Sequence, residues 1–357
     1  ENLPAPKMNF ELNLGMNYEG VRSQFHCGGC GAKVSSNVLS QVLIKLSAEN
    51  PDNCMVSSDD AREITFPSHK VWQSIDGLRG LVGDLWQMGQ LSANHALSDL
   101  FACGLQPHSA QALIVLPFAT PALQARELTQ ILEGALTVFK EAKCILVGGH
   151  SMQGPELQIA FAVNGYLPAS SSHSLSKTGL QVGDKLLITR PLGSGILFAA
   201  HMQLLADGSH LEKALAIMAQ SNFTAAEVCI QHGVKCVTDV TGFGLAVHLI
   251  EMLESSQGAT VKVLDVPSFE GVLSYMAKDV RSTGHQSNKD AAAGYLSEID
   301  QGDLKAELLF DPQTCGGLLM GVAPEELDSL SRALALAGVQ SYVIGEVTDN
   351  EGLIELC

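Results

Sequence analysis

Two thiols, three glycines and one amine fall within eight residues, His26-Cys27-Gly28-Gly29-Cys30-Gly31-Ala32-Lys33. A thiolate is the reactive form of cysteine, and a nearby cation favours it. Lys33, three residues past Cys30, can be that cation. Glycines lack Cβ, so such a backbone bends tightly and approaches a ligand closely. The pattern reads as a loop carrying a nucleophile, Cys30, and a phosphate-seeking ammonium, Lys33. Two plainer readings stay open. A Cys-x-x-Cys pair also serves as a thiol-redox couple. It can also be half of a zinc site, although a closed site needs four ligands and no second Cys-x-x-Cys exists.

Carboxylates recur further along in positions suited to phosphate chemistry. Asp59 and Asp60 follow the polar turn of Ser57 and Ser58. Residues 71–75 read as a strand ending at Asp76, which places a carboxylate at a sheet rim; the alternative is a turn aspartate holding nearby N–H groups. Residues 85–103 are helical in pattern, with Leu97, Leu100 and Phe101 as the apolar stripe. His95 and Asp99, four apart, share one face. A carboxylate among such residues is costly to bury unless paired or metal-bound; otherwise it lies on an exposed face. A strand over 144–147 leads into Gly148-Gly149-His150-Ser151, which permits close approach to a ligand or makes a simple tight turn. A short strand over 234–237 runs into Asp239-Val240-Thr241-Gly242-Phe243-Gly244 and then a helix. That layout can hold a metal ion beside a phosphate. Pro191-Leu192-Gly193-Ser194-Gly195 opens another helix, an anion-binding geometry. It lacks the G-x-G-x-x-G spacing because Phe198 fills the last position, and no Gly-Lys-Ser/Thr loop is present.

The elements around these residues alternate between strand and helix. Further strands are expected at 109–116, 157–166, 184–189, 261–266, 318–322 and 341–347. Helices are expected at 36–46, 121–142, 211–232 and 324–337. Residues 282–295 read as an irregular polar loop. A Ser-rich stretch at 167–178 marks a boundary between two mixed α+β (α/β) units. The expected organisation is an arm at 1–25, a catalytic loop at 26–35, an N-terminal domain at 36–168 and a C-terminal domain at 179–357.

The chain has 357 residues, enough for two domains and a large core. Its 21 basic and 38 acidic residues give a net charge of −17, which argues against nucleic-acid or anionic-membrane surfaces. An acidic protein still binds nucleotides when metal ions bridge its carboxylates to phosphate. Nine irregularly spaced cysteines do not form a disulfide framework, so a reducing, cytoplasmic setting is expected. No apolar run reaches membrane-spanning length.

With these motifs assembled, the chain resembles the selenophosphate synthetase (selenide, water dikinase) family. The motifs at 26–33, 57–61, 94–102, 148–151 with Pro155-Glu156, 239–245 and 311–319 stand in that family's order. The resemblance implies a two-domain fold of the aminoimidazole ribonucleotide synthetase superfamily. It implies homodimers paired through their N-terminal domains, with ATP in a groove near that interface. The implied reaction takes ATP, selenide and water to selenophosphate, AMP and orthophosphate. Cys30 matches the family's catalytic Cys or selenocysteine, and Lys33 its essential lysine. Asp60, Asp99 and Asp239 match its Mg²⁺-binding aspartates, with several ions expected and K⁺ as a further candidate. Asp76, Ser57, Ser58, Asp59, Gly149, His150 and Ser151 match nucleotide contacts, which Lys33 and Asp99 join.

The chain departs from the family's pattern at four places. Ala32 stands where some members have Cys, Cys27 where many have Gly, and His95 where Asn is common; residues 283–288 lack an Arg that some members carry. The 26–33 loop is similar to that of members fused to a flavin-dependent oxidoreductase domain. With the non-Met start and the Pro-containing arm, this suggests the C-terminal portion of such a fusion, or a separate oxidoreductase partner. Rival readings are another ATP-dependent synthetase or kinase of the superfamily, a thiol-redox module, and a non-catalytic ATP-binding protein.

Overall fold

The computed structural model describes residues 61–65, 70–169, 173–297 and 302–357. The expected arm, the 26–35 loop and the 36–46 helix lie outside the described residues.

In the N-terminal half the strands alternate, as a sheet covered on one side requires. On β2 (Lys70–Arg79), Gln73, Ile75 and Gly77 face out while Ser74, Asp76 and Leu78 face in. It joins β1 (Arg62–Thr65), β3 (Gln106–Pro117), β4 (Ile145–Gly154) and β5 (Gln158–Tyr166) in the order β1-β2-β5-β3-β4. All pairs are antiparallel except β3 with β4. Helices α1 (Leu85–Ala102) and α2 (Pro121–Glu141) pack together, with α1 against the sheet's inner face. The Asp84 side chain caps α1 through Gln87 N–H, and Thr120 with Pro121 starts α2.

Among the described residues the C-terminal half holds six strands: β6 (Lys185–Ile188), β7 (Cys236–Asp239), β8 (Gly258–Val261), β9 (Leu318–Val322), β10 (Tyr342–Thr348) and β11 (Ile354–Leu356). Their order is β11-β8-β10-β6-β9-β7. Its helices are α3 (Ser194–Met202), α4 (Gly208–Met218), α5 (Phe223–Gln231), α6 (Gly244–Met252), α7 (Val272–Met276), α8 (His285–Ala292), α9 (Leu304–Leu308) and α10 (Leu327–Leu336). Strands β6, β7 and β9 are buried on both faces, which is why Leu186-Leu187-Ile188 and Leu318-Leu319-Met320 are continuous apolar runs. One face, with Leu186, Ile188 and Leu319, packs with α3 and α6. The other, with Leu187, Val237 and Met320, joins Leu97, Leu100 and Phe101 of α1 in a single core. Helix α1 therefore belongs to both halves, and most of its residues are buried.

Several sequence expectations need correction. Asp76 does not end its strand; β2 continues to Arg79. Gly148–Ser151 are not a turn but the middle of β4, paired in parallel with β3. The single helix expected over 211–232 is two, α4 and α5. Between them the Ala219 and Gln220 carbonyls accept from Asn94 Nδ2 and Arg190 Nη2, each at 2.7 Å. Tertiary polar contacts thus hold the break. The loop expected at 282–295 contains α8, whose buried stripe of His285, Asn288 and Ala292 is too polar to read as a helix face. The strand expected at 261–266 lies earlier, at β8. No helix among the described residues is long and apolar enough to cross a membrane.

Because Leu97 is fully buried in the shared core, Leu97→Ala is expected to lower the unfolding free energy by about 2–5 kcal/mol. Urea unfolding should show one cooperative transition at lower midpoint, whether followed by far-UV dichroism or by tryptophan fluorescence.

Candidate functional site

Helix α1 lies over β2 in a register that geometry favours. Four residues along a helix advance about 6 Å, and two along a strand about 6.6 Å. Residues i and i+4 of α1 can therefore each meet i and i+2 of β2. Asp99 accepts a hydrogen bond from Ser74 Oγ, and His95 Nε2 lies 3.3 Å from Asp76 Oδ2. The helix runs antiparallel to the strand over these pairs. His95 is 1% exposed and Asp76 12%, so the imidazole is a fixed partner and Asp76 keeps one route to solvent. His95, which stands where the resemblance leads one to expect Asn, thus pairs directly with Asp76.

The adjacent stripe of α1 docks on the C-terminal half. Asn222 Nδ2 donates to Ser98 Oγ and to the Gly316 carbonyl, both at 2.9 Å. The Leu91 carbonyl accepts from Cys315 Sγ at 3.2 Å. Arg190, buried, donates through Nη1 to the Cys315 carbonyl at 2.7 Å and to that of Gly316 at 3.3 Å. Burial lowers the Arg190 guanidinium to about 10, opposed by Cys315 and Asp239, so it stays charged at neutral pH. Burial pushes the Cys315 thiol up to about 12, against the pull of Arg190 and helped by Asp239 and Asp76. Cys315 thus marks where the two aspartates come within electrostatic reach of one point.

Asp239 is the last residue of β7 and almost wholly buried. Beside it the 311–317 loop presses close. A Cβ on Gly316 would stand 1.8 Å from the Val240 carbonyl oxygen, so only glycine allows the Val240 N–H to bond the Gly317 carbonyl at 2.9 Å. Arg190, Asn222 and the 311–317 loop had no assigned role from sequence. The loop's Gly-Gly pair was the available signal; Arg190 and Asn222 gave none.

Two expectations change here. The helix start at Gly193 is not an open anion site. Gln313 Oε1 accepts from the Gly193 and Ser194 N–H groups at 3.0 and 3.2 Å, and Asp311 Oδ2 from Ile196 N–H at 3.2 Å. The chain fills that terminus itself. The other is Gly149, His150 and Ser151, which β5 and β3 separate from Asp76, about 14 Å at ordinary strand spacing. They line a cleft of about 380 Å³ against α2 with Ala112, Leu128 and Leu146. Gly149 is required by strand pairing alone, since a Cβ there would lie 2.1 Å from the Ala112 oxygen. Within one chain these residues are not brought to Asp76 and Asp99.

Cys30, Lys33, Ser57, Ser58, Asp59 and Asp60 lie outside the described residues. Among the described residues no three His, Cys, Asp or Glu side chains gather into a metal site. Asp76, Asp99 and Asp239 offer hard oxygen donors. These suit Mg²⁺, which takes one or two carboxylates and fills its octahedron with water and phosphate.

Two models of the AIR synthase related proteins match the chain, the N-terminal domain over residues 58–167 and the C-terminal domain over 181–355. A selenide, water dikinase of Pelobacter propionicus is 34% identical over 331 residues, covering 90% of this chain and 93% of the relative. One of Salmonella typhi is 35% identical over 340 residues, covering 92% and 94%. Among solved structures, thiamine-monophosphate kinase from Stenotrophomonas maltophilia K279a superposes with a TM-score of 0.64 at 17% identity, covering 89% of this chain and 95% of that one. Hydrogenase maturation protein HypE in complex with ATP gives 0.59 at 16%, covering 92% of each. The last two share the fold.

Asp311 yields a pH prediction. Burial lifts its carboxyl to about 7, against hydrogen bonds from Ile196 N–H and Gln313. The folded state then holds a proton that the unfolded chain releases near pH 4, so this contribution to stability is full below that and is lost as pH rises through about 7. Relative to Asp311→Asn, the wild type should gain up to about 4 kcal/mol between pH 7 and pH 4. Urea unfolding at both pH values measures it; a constant difference would contradict the burial argument.

Proposed function

The chain belongs to the selenide, water dikinase family and is a phosphotransferase that makes selenophosphate from selenide, ATP and water, releasing AMP and orthophosphate; we propose that it does so where β2, α1 and β7 meet. The observation that carries this placement is the paired register of Ser74 with Asp99 and Asp76 with His95, on a helix docked beside Asp239.

Phosphoryl transfer asks a protein for alignment and charge neutralisation more than for covalent help. ATP is strongly anionic and so is this chain, at −17. Asp99 and Asp239, with Asp60, would hold Mg²⁺, which would supply the charge neutralisation that phosphate needs beside carboxylates. K⁺ is the further expected cation. Ser74 holds the Asp99 carboxylate in place through its hydroxyl. His95 keeps Asp76 oriented toward the nucleotide. Arg190 and Asn222 lock α1 to the loop beside Asp239, so the two carboxylates keep a constant separation as phosphate charge moves.

Lys33 neutralises the γ-phosphate as the glycine loop closes, and Cys30 holds or delivers selenium, a soft chalcogen suited to a thiolate. Selenium takes the γ-phosphoryl group from ATP; water then takes the β-phosphoryl group from ADP and leaves AMP. Ser57, Ser58 and Asp59 complete the nucleotide contacts. The sheet's outer face, with Ile75 63% and Leu113 38% exposed, supports a homodimer through the N-terminal domains. A groove shared by two copies would also bring Gly149, His150 and Ser151 to the nucleotide despite the two strands between them and Asp76. We place the protein in the cytoplasm, with an oxidoreductase domain, fused or separate, as a partner.

Asp99→Asn is expected to lower selenide-dependent AMP formation about 100-fold or more with the unfolding midpoint nearly unchanged. A rate within threefold of wild type would remove Asp99 from the site. Lys33→Ala should abolish turnover while dichroism stays that of the wild type; full activity would exclude the role given to Lys33.

A further inference from the structure

The turn that follows Asp239 is held by groups that the mechanism above does not use. The Thr241 N–H is buried, where no water can serve it, and it donates to His248 Nε2 at 3.1 Å. An imidazole nitrogen that accepts a hydrogen bond carries no proton, so the ring proton is on Nδ1. That atom lies 3.4 Å from Glu251 Oε2, one turn further along α6. The same carboxylate oxygen takes Lys177 Nζ at 3.2 Å, and Lys177 is itself buried. Burial works to raise the Glu251 carboxyl, but His248 and Lys177 outweigh it and bring it down to about 2. Glu251 is therefore ionised throughout the physiological range, and its charge, 3.4 Å away and without a hydrogen bond, favours the tautomer that the Thr241 N–H selects. Lys177 also ties this row to β7, because its carbonyl accepts from Cys236 Sγ at 3.1 Å.

We propose that Lys177, Glu251 and His248 form a positioning chain that fixes the turn after Asp239 and so sets where that carboxylate presents its oxygens. None of the three is a catalytic residue; they act through the Thr241 backbone. The inference rests on the assignment of Asp239 to the Mg²⁺–nucleotide site. Partners behind a ligating group commonly alter metal affinity 10- to 100-fold without touching the metal. The conservative replacement is His248→Gln, whose Oε1 can reach the place of Nε2 and accept the same N–H. His248→Leu cannot.

Mn²⁺ is the probe, followed by electron paramagnetic resonance on the full chain with a non-hydrolysable ATP analogue, so that no turnover is needed. His248→Leu should weaken Mn²⁺ binding about tenfold and raise the half-saturating Mg²⁺ in the selenide assay to match, with kcat at saturating Mg²⁺ held within threefold. His248→Gln should bind Mn²⁺ within twofold of wild type. Glu251→Gln, at a half-exposed side chain, should give an intermediate loss and serves if His248→Leu does not fold. Lower melting temperature with unchanged Mn²⁺ binding in these variants would overturn the positioning role and leave the function above intact. A wild-type chain that binds no Mn²⁺ would overturn the metal assignment and the positioning chain together.

Discussion

Helix α1 has almost no solvent face, yet it carries Ser92, Asn94, His95, Ser98 and Asp99. Polar groups in such a place are tolerable only when hydrogen-bonded. They are met from three directions. Ser92 bonds its own helix at Met88. His95 and Asp99 face β2, and Asn94 and Ser98 face the α4–α5 break. Satisfying these groups fixes the rotation and depth of α1 against both sheets at once. The apolar residues between them supply the stabilisation, and the polar ones supply the register.

That constraint is what would let two halves contribute to the one site proposed above. Asp76 comes from a strand of the first sheet and Asp239 from a strand of the second. Neither sheet could place both. Arg190 reinforces the join from the far side. A buried guanidinium is costly to desolvate, and here three backbone carbonyls and the nearby Asp239 offset much of that cost. The charge also lies within electrostatic reach of Asp239.

The parts of this arrangement that were legible in the sequence are those with local signals. The strand-to-helix passage at Asp239, the apolar stripe of Leu97, Leu100 and Phe101, and the shared face of His95 and Asp99 follow from spacing alone. The α4–α5 break did not, because the carbonyls of Ala219 and Gln220 are taken by Asn94 and Arg190, far away in sequence. Helix α8 was hidden by a buried face made of His285 and Asn288, held by partners such as Glu307 and the carbonyls of Gly242 and Phe310. The Gly193 helix start looked open because Asp311 and Gln313, which fill it, lie more than a hundred residues away. Gly149 had a sound local reading as a ligand approach, but the neighbouring Ala112 oxygen already requires it. Local pattern thus gave the elements and shared faces, and long-range polar pairing decided how they meet.

The reaction of this acidic protein moves phosphoryl groups to selenium and to water. The most direct measurement is ³¹P NMR of the protein with ATP, Mg²⁺ and selenide under anaerobic, reducing conditions. The account predicts a selenophosphate resonance growing in step with AMP and orthophosphate, and none when selenide is withheld. ATP cleaved to ADP at the same rate without selenide, with no phosphorus–selenium signal, would contradict it.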